Sequence, residues 1–142
     1  DNFRPENSHV PAALMRRFDA ARRAGAASVA VWGSGRPRRE FLHVDDLADA
    51  CAFLLDHYDA AALINVGRGS DITIADFAAM MAETVGFAGT IAFDPARPDD
   101  MPRKVLDVGA LTALGWRARI PLAAGLADTY AWFQENRAGL RA

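Results

Sequence analysis

Between Pro11 and Gly25, the apolar residues Leu14, Phe18 and Ala21 recur at helical spacing while Arg16, Arg22 and Arg23 hold the opposite side. This pattern predicts a helix that opens near Asn7 or Ser8 and stops at Gly25. Two short extended runs follow, 28–32 and 40–43, separated by Gly33-Ser34-Gly35-Arg36-Pro37, whose glycines and proline mark a loop between strands. Asp45 is placed to cap a helix reaching about Tyr58, with Leu47, Cys51, Leu54 and Tyr58 as its core face. The apolar run 62–66 predicts a strand, and Thr73 with Asp76 has the spacing of a capping box for a helix ending at Gly86. A strand over 90–93 leads into Asp94 to Pro102, where Pro95, Pro98 and Pro102 prevent regular structure. Beyond it, 104–107 is extended and 108–114 is a short helix stopped by Gly115. Pro121 opens a last helix through Asn136, with Leu122, Leu126, Tyr130 and Phe133 as its buried stripe.

Mixed short strands and helices, with no repeat or linker to divide them, predict one α/β portion spanning 1–142. Four or five short strands are few for a doubly wound sheet, so part of the sheet is expected to belong to residues outside this chain. With 51% apolar residues, the 142-residue chain can bury a real core. Its 16 basic and 18 acidic residues leave no global field to hold nucleic acid or an anionic membrane, and neither partner is expected. Cys51 is the single cysteine, no run approaches the roughly 20 apolar residues of a membrane span, and the opening Asp1-Asn2-Phe3-Arg4 is unlike a signal peptide. A cytoplasmic setting is the expectation, and the missing initiator Met suggests an internal start.

The residues that could carry chemistry each have a structural alternative. His9, before the first helix, is either an acid or base near neutral pH or a helix-start residue; His43 and His57 read as structural. Arg17, beside Arg16, and Arg39, beside Arg38, are either solvated or grips for an anion, because a planar guanidinium can give a diphosphate two parallel hydrogen bonds. Trp32 is either a core aromatic or a stacking platform. Asp99 is either an acceptor for sugar hydroxyls or a turn residue, and Lys104, the only lysine, either meets a ligand or caps a strand edge. Nothing has metal-ligand spacing.

The strings Asn7-Ser8-His9-Val10-Pro11, Leu14-Met15-Arg16-Arg17-Phe18, Val31-Trp32-Gly33-Ser34-Gly35, Arg39-Glu40-Phe41-Leu42-His43-Val44-Asp45-Asp46 and Pro102-Arg103-Lys104-Val105-Leu106-Asp107 closely resemble GDP-L-fucose synthases. These are extended short-chain dehydrogenase/reductases of the NAD-dependent epimerase/dehydratase family. The resemblance runs through Gly115-Trp116 to the last helix. It implies the C-terminal, substrate-binding part of a Rossmann-type enzyme that takes GDP-4-keto-6-deoxy-D-mannose, inverts two carbons beside the ketone and reduces it with NADPH, as a homodimer. By the same resemblance His9 is the acid and touches the cofactor, while Arg17, Trp32, Arg39, Asp99 and Lys104 hold the GDP-sugar. The family's Gly-rich dinucleotide loop and Tyr-x-x-x-Lys pair are not found: Tyr58 has Ala62, and Tyr130 has Gln134, where the lysine would stand. Gly33-Ser34-Gly35 does not open a helix, as a dinucleotide loop must. NADP is therefore expected to be bound mainly by residues outside this chain, and the chain alone is expected to be inactive. One departure is Asp100, where the family usually has glycine.

Overall fold

The computed structural model describes residues 3–4 and 8–140. Helix α1 (Val10–Ala24) ends where Gly25 turns left-handed at φ +62°, as its position predicts. His9 is its N-cap and contributes only its carbonyl, so the expected Ser8 cap is displaced by one residue; Asn7 lies outside the described residues. β1 (Ser28–Trp32) pairs in parallel with β4 (Thr90–Asp94), joining Ser28 to Thr90 and Trp32 to Asp94.

A second sheet is smaller. β2 (Arg38–Arg39) lies between β3 (Ile72–Thr73), antiparallel to it, and β5 (Arg103–Lys104), parallel to it. The strand expected at 40–43 therefore sits two residues earlier. Past Arg39 the chain leaves the ladder, because the Glu40 carboxylate bonds the amides of Gly69 at 2.6 Å and Leu106 at 2.8 Å. The expected strand at 62–66 does not form and Leu63 is fully exposed; the run is apolar, but no strand among the described residues pairs with it, and the Ala62 carbonyl accepts from the Tyr58 hydroxyl at 2.8 Å.

α2 (Val44–His57) begins with His43, whose Nδ1 accepts from the Asp45 amide at 3.3 Å, so Asp45 is the residue capped and not the cap. Its buried residues are Asp46 and Ala50, whereas Leu47 and Cys51, expected in the core, are exposed. The shift has a polar cause: Asp46 turns inward to accept from the amides of Arg119 and Ile120 at 2.9 to 3.2 Å. α3 (Ile74–Val85) carries the expected capping box, with Thr73 Oγ1 accepting from the Asp76 amide at 3.0 Å and donating to its carboxylate at 2.6 Å. α4 (Gly109–Ala113) is a single turn, and α5 (Leu122–Asn136) buries Leu126, Tyr130 and Phe133 as its spacing predicts.

α1, α3 and α5 close over β1 to form the main core, in which Phe18, Phe77 and Phe133 are fully buried. Each such ring contributes roughly 1.5 to 3 kcal/mol through burial. A satellite core of Ala50, Leu111 and Trp116 holds α2 to α4, and Trp116 Nε1 donates to Asp49 at 2.7 Å. One carboxylate also enters the main core: Asp19, 1% exposed, accepts from the Tyr130 hydroxyl at 3.0 Å and is ringed by Arg22, Arg23 and Arg137.

Candidate functional site

The turn Gly33-Ser34-Gly35 and the Pro-rich segment 94–102 fold against each other at the end of the β1–β4 pair. Gly33, at φ +80°, permits this approach, since a Cβ there would lie 2.4 Å from an Asp99 carboxylate oxygen. Ser34 then fastens the two: its amide donates to Asp99 Oδ1 at 2.7 Å and its hydroxyl to Oδ2 at 2.6 Å. Those bonds stabilise the ionised form and hold the Asp99 carboxyl below its ordinary value of 3.8. Asp99 thus closes the loop with both oxygens, and a sugar hydroxyl can use only its remaining lone pairs.

Trp32 projects from the same end, 62% exposed, so it is not a core residue. The Arg97 guanidinium lies over its ring, 4.8 Å from the centroid, so a flat cationic group covers one indole face.

Arg39 reaches the loop from β2. Its Nη1 donates to the carbonyls of Arg38 and Met101, each at 2.7 Å, and its Nη2 to Asp100 Oδ2 at 2.8 Å. Lys104 sits opposite Arg39 in the β2–β5 register. Asp100 is held below the ordinary carboxylate value first by the Met101 amide, then by Arg39, with Lys104 adding to the positive field. Strand alternation turns the neighbouring residues the other way: Arg38 and Arg103 both bind the nearly buried carboxylate of Asp71, Arg38 Nε at 2.5 Å, and pull its pKa down. Three short strands therefore carry two charged faces, one closed around Asp71 and one bearing Arg39 and Lys104.

Trp32, Arg39, Asp99 and Lys104 are thus brought to one edge by the Pro-rich loop. His9 and Arg17 stand on α1, His9 exposed at its start and Arg17 about two turns further on; Arg17 shares no hydrogen bond or ion pair with that edge. The loop's fasteners, Ser34 and Asp100, and the Arg97 cap were not identifiable from sequence. Their only signal was a Gly-Ser-Gly turn and an Asp-Asp pair, both consistent with ordinary solvated loops.

An apolar cleft of about 590 Å³ opens elsewhere, between Phe41, His43, Leu122, Gly125 and Trp132, and none of the six candidates lines it. Among the described residues, no cluster of three or more His, Cys, Asp or Glu could hold a metal ion, and no helix is long and apolar enough to cross a membrane.

Residues 1–67 match the NAD dependent epimerase/dehydratase family. The chain is 52% identical over 136 residues to a probable GDP-L-fucose synthase of Oryza sativa subsp. japonica, covering 96% of this chain and 42% of that protein. It is 49% identical over 146 residues to the GDP-L-fucose synthase of Escherichia coli (strain K12), covering 96% and 46%. Among solved structures, a GDP-L-fucose synthetase from Naegleria fowleri superimposes with a TM-score of 0.93 at 26% identity, covering all of this chain and 44% of that one; it has also been solved bound to NADP. The fold is accordingly that of part of a Rossmann-like short-chain dehydrogenase/reductase. The chain spans less than half the length of each of these relatives.

Proposed function

Taking the chain as part of an extended short-chain dehydrogenase/reductase similar to the GDP-L-fucose synthases, we propose that residues 1–142 are the nucleotide-sugar binding portion of an NADP-dependent epimerase and reductase. The intact enzyme converts GDP-4-keto-6-deoxy-D-mannose to GDP-L-fucose, as a cytoplasmic homodimer. The observation that carries this reading is sequence identity near one half, sustained over 96% of the chain, with relatives of that one activity.

On this reading the labour is divided among the candidate residues, of which Trp32, Arg39, Asp99 and Lys104 share one edge while Arg17 stands apart on α1. Trp32 offers its exposed face to guanine, Arg17 and Arg39 neutralise the diphosphate, and Lys104 and Asp99 meet hydroxyl or phosphate oxygens at the loop. A guanidinium suits the diphosphate because it presents two parallel donors to two oxygens. Inversion beside a ketone needs a base to remove the carbon-bound proton and an acid to return one to the other face. His9, exposed at the start of α1, is assigned as the acid.

NADP, when bound, supplies the hydride for the ketone. The Gly33-Ser34-Gly35 turn does not fit the dinucleotide phosphates, because Gly35 leads into strand β2 and the Ser34 amide is already given to Asp99. His9 alone among these residues is assigned a cofactor contact, and the isolated chain is expected to bind GDP-sugar without reducing it.

The test is a ranking. Thermal unfolding in the presence of GDP, UDP and dTDP should give the largest upward shift with GDP, since binding to the native state stabilises it by mass action. Equal shifts, or a larger one with UDP or dTDP, contradict the GDP assignment.

A further inference from the structure

Arg39 is held in an unusual way for a residue assigned to an anionic ligand. Its side chain is only 15% exposed, and Nη1 is anchored to two backbone carbonyls, so the guanidinium cannot swing out to meet a ligand. A ligand has to come to it, and on the Nη2 side it meets the carboxylate of Asp100 at 2.8 Å.

The loop's acidic residues differ sharply in what holds them. Asp99 is fixed through both oxygens by Ser34, and Asp71, deep between Arg38 and Arg103, is nearly buried. Asp100 is 77% exposed, reaches Arg39 through one oxygen and is otherwise held by the Met101 amide, so rotation of a single short side chain, at the loss of that amide bond, releases the guanidinium into solvent-accessible space. A pair whose carboxylate stands largely in water is a weak one, exchangeable for a stronger anion.

We propose that Asp100 is an internal competitor for Arg39: its carboxylate and a nucleotide diphosphate take the same guanidinium in turn, and Asp100 thereby sets how strongly the site responds to phosphate charge. The inference rests on Arg39 being a diphosphate contact. A diphosphate displaces Asp100 because it brings more negative charge and two oxygens to the fork. Guanosine, lacking phosphate, has no reason to displace it.

Calorimetric titration of the chain with GDP and with guanosine, at one salt concentration, tests this in three proteins: the natural chain, Asp100→Asn and Arg39→Ala. Asparagine keeps the side-chain shape and removes the charge. Asp100→Asn is expected to bind GDP about two- to fivefold more tightly, the range open to an exposed ion pair, with guanosine unchanged. Arg39→Ala is expected to weaken GDP. If Arg39→Ala weakens GDP while Asp100→Asn leaves it unchanged, the competition is refuted and the diphosphate contact stands. If Asp100→Asn tightens guanosine as much as GDP, loop repacking is the cause and the competition is again refuted. If no protein binds GDP, the nucleotide-sugar reading fails and takes this inference with it.

Discussion

Asp19 places a carboxylate in the main core beside the apolar face of α1. It is 1% exposed, bonded to the Tyr130 hydroxyl and facing three arginines that each keep one end in water. Desolvation, followed by the hydrogen bond and charge of Asp19, raises the Tyr130 phenol above its ordinary value of 10.0. Asp19→Asn removes the charge and replaces one acceptor oxygen with a donor facing the arginines, and is expected to cost about 2 to 3 kcal/mol in urea-induced unfolding. Tyr130→Phe removes a donor and retains the arginines, so its cost is expected to be about 1 kcal/mol. Equal stability of Asp19→Asn and the natural chain would show that this cluster holds nothing together. The sequence concealed it: an Asp among Arg22 and Arg23 reads as a solvated helix face, and Tyr130 and Arg137, which complete the ring, lie more than a hundred positions away.

At the scale of elements, the parts legible in the sequence were those governed by local chemistry. α1, α3 and α5, the glycine stops of α1 and α3 and the Thr73-Asp76 box follow from periodicity and capping within a few residues. Thr73→Ala is expected to lower stability by about 1 kcal/mol, measured by chemical denaturation, because α3 then loses the acceptor for its Asp76 amide. The short strands were less legible because partners distant in the chain define them. β2 exists where β3 and β5 flank it, and 62–66 is no strand because none among the described residues flanks it. α2 was misread on its inward side, since Asp46 is drawn in by the amides of Arg119 and Ile120. The candidate site divides in the same way. Trp32, Arg39 and Lys104 were recognised from short motifs, but their arrangement depends on Ser34, Asp100 and a close approach at Gly33 that no local pattern announces.

For the whole molecule, the loop that assembles the site is fastened by carboxylates that must stay ionised. Asp99 and Asp100 have lowered pKa values, as do Asp71 beneath the small sheet and Asp49 beside Trp116. The native state therefore binds fewer protons than the unfolded chain in the acid range. The stability these groups contribute is present above the unfolded value of 3.8 and is lost as pH falls through the lower folded values. Tyr130 acts at the other limit: its contribution is present below 10.0 and is lost as pH rises through the higher folded value. Chemical denaturation across pH is expected to give a plateau bounded on both sides, with the acid arm shallower in Asp99→Asn.

The functional reading comes down to where a guanosine diphosphate touches this fold. Hydrogen–deuterium exchange of the chain, with and without saturating GDP, measures that directly. Slowed exchange over residues 32–39 and 97–104, with residues 120–132 beside the apolar cleft unchanged, is the expected result. Protection confined to the cleft, or no protection in either loop, would contradict it.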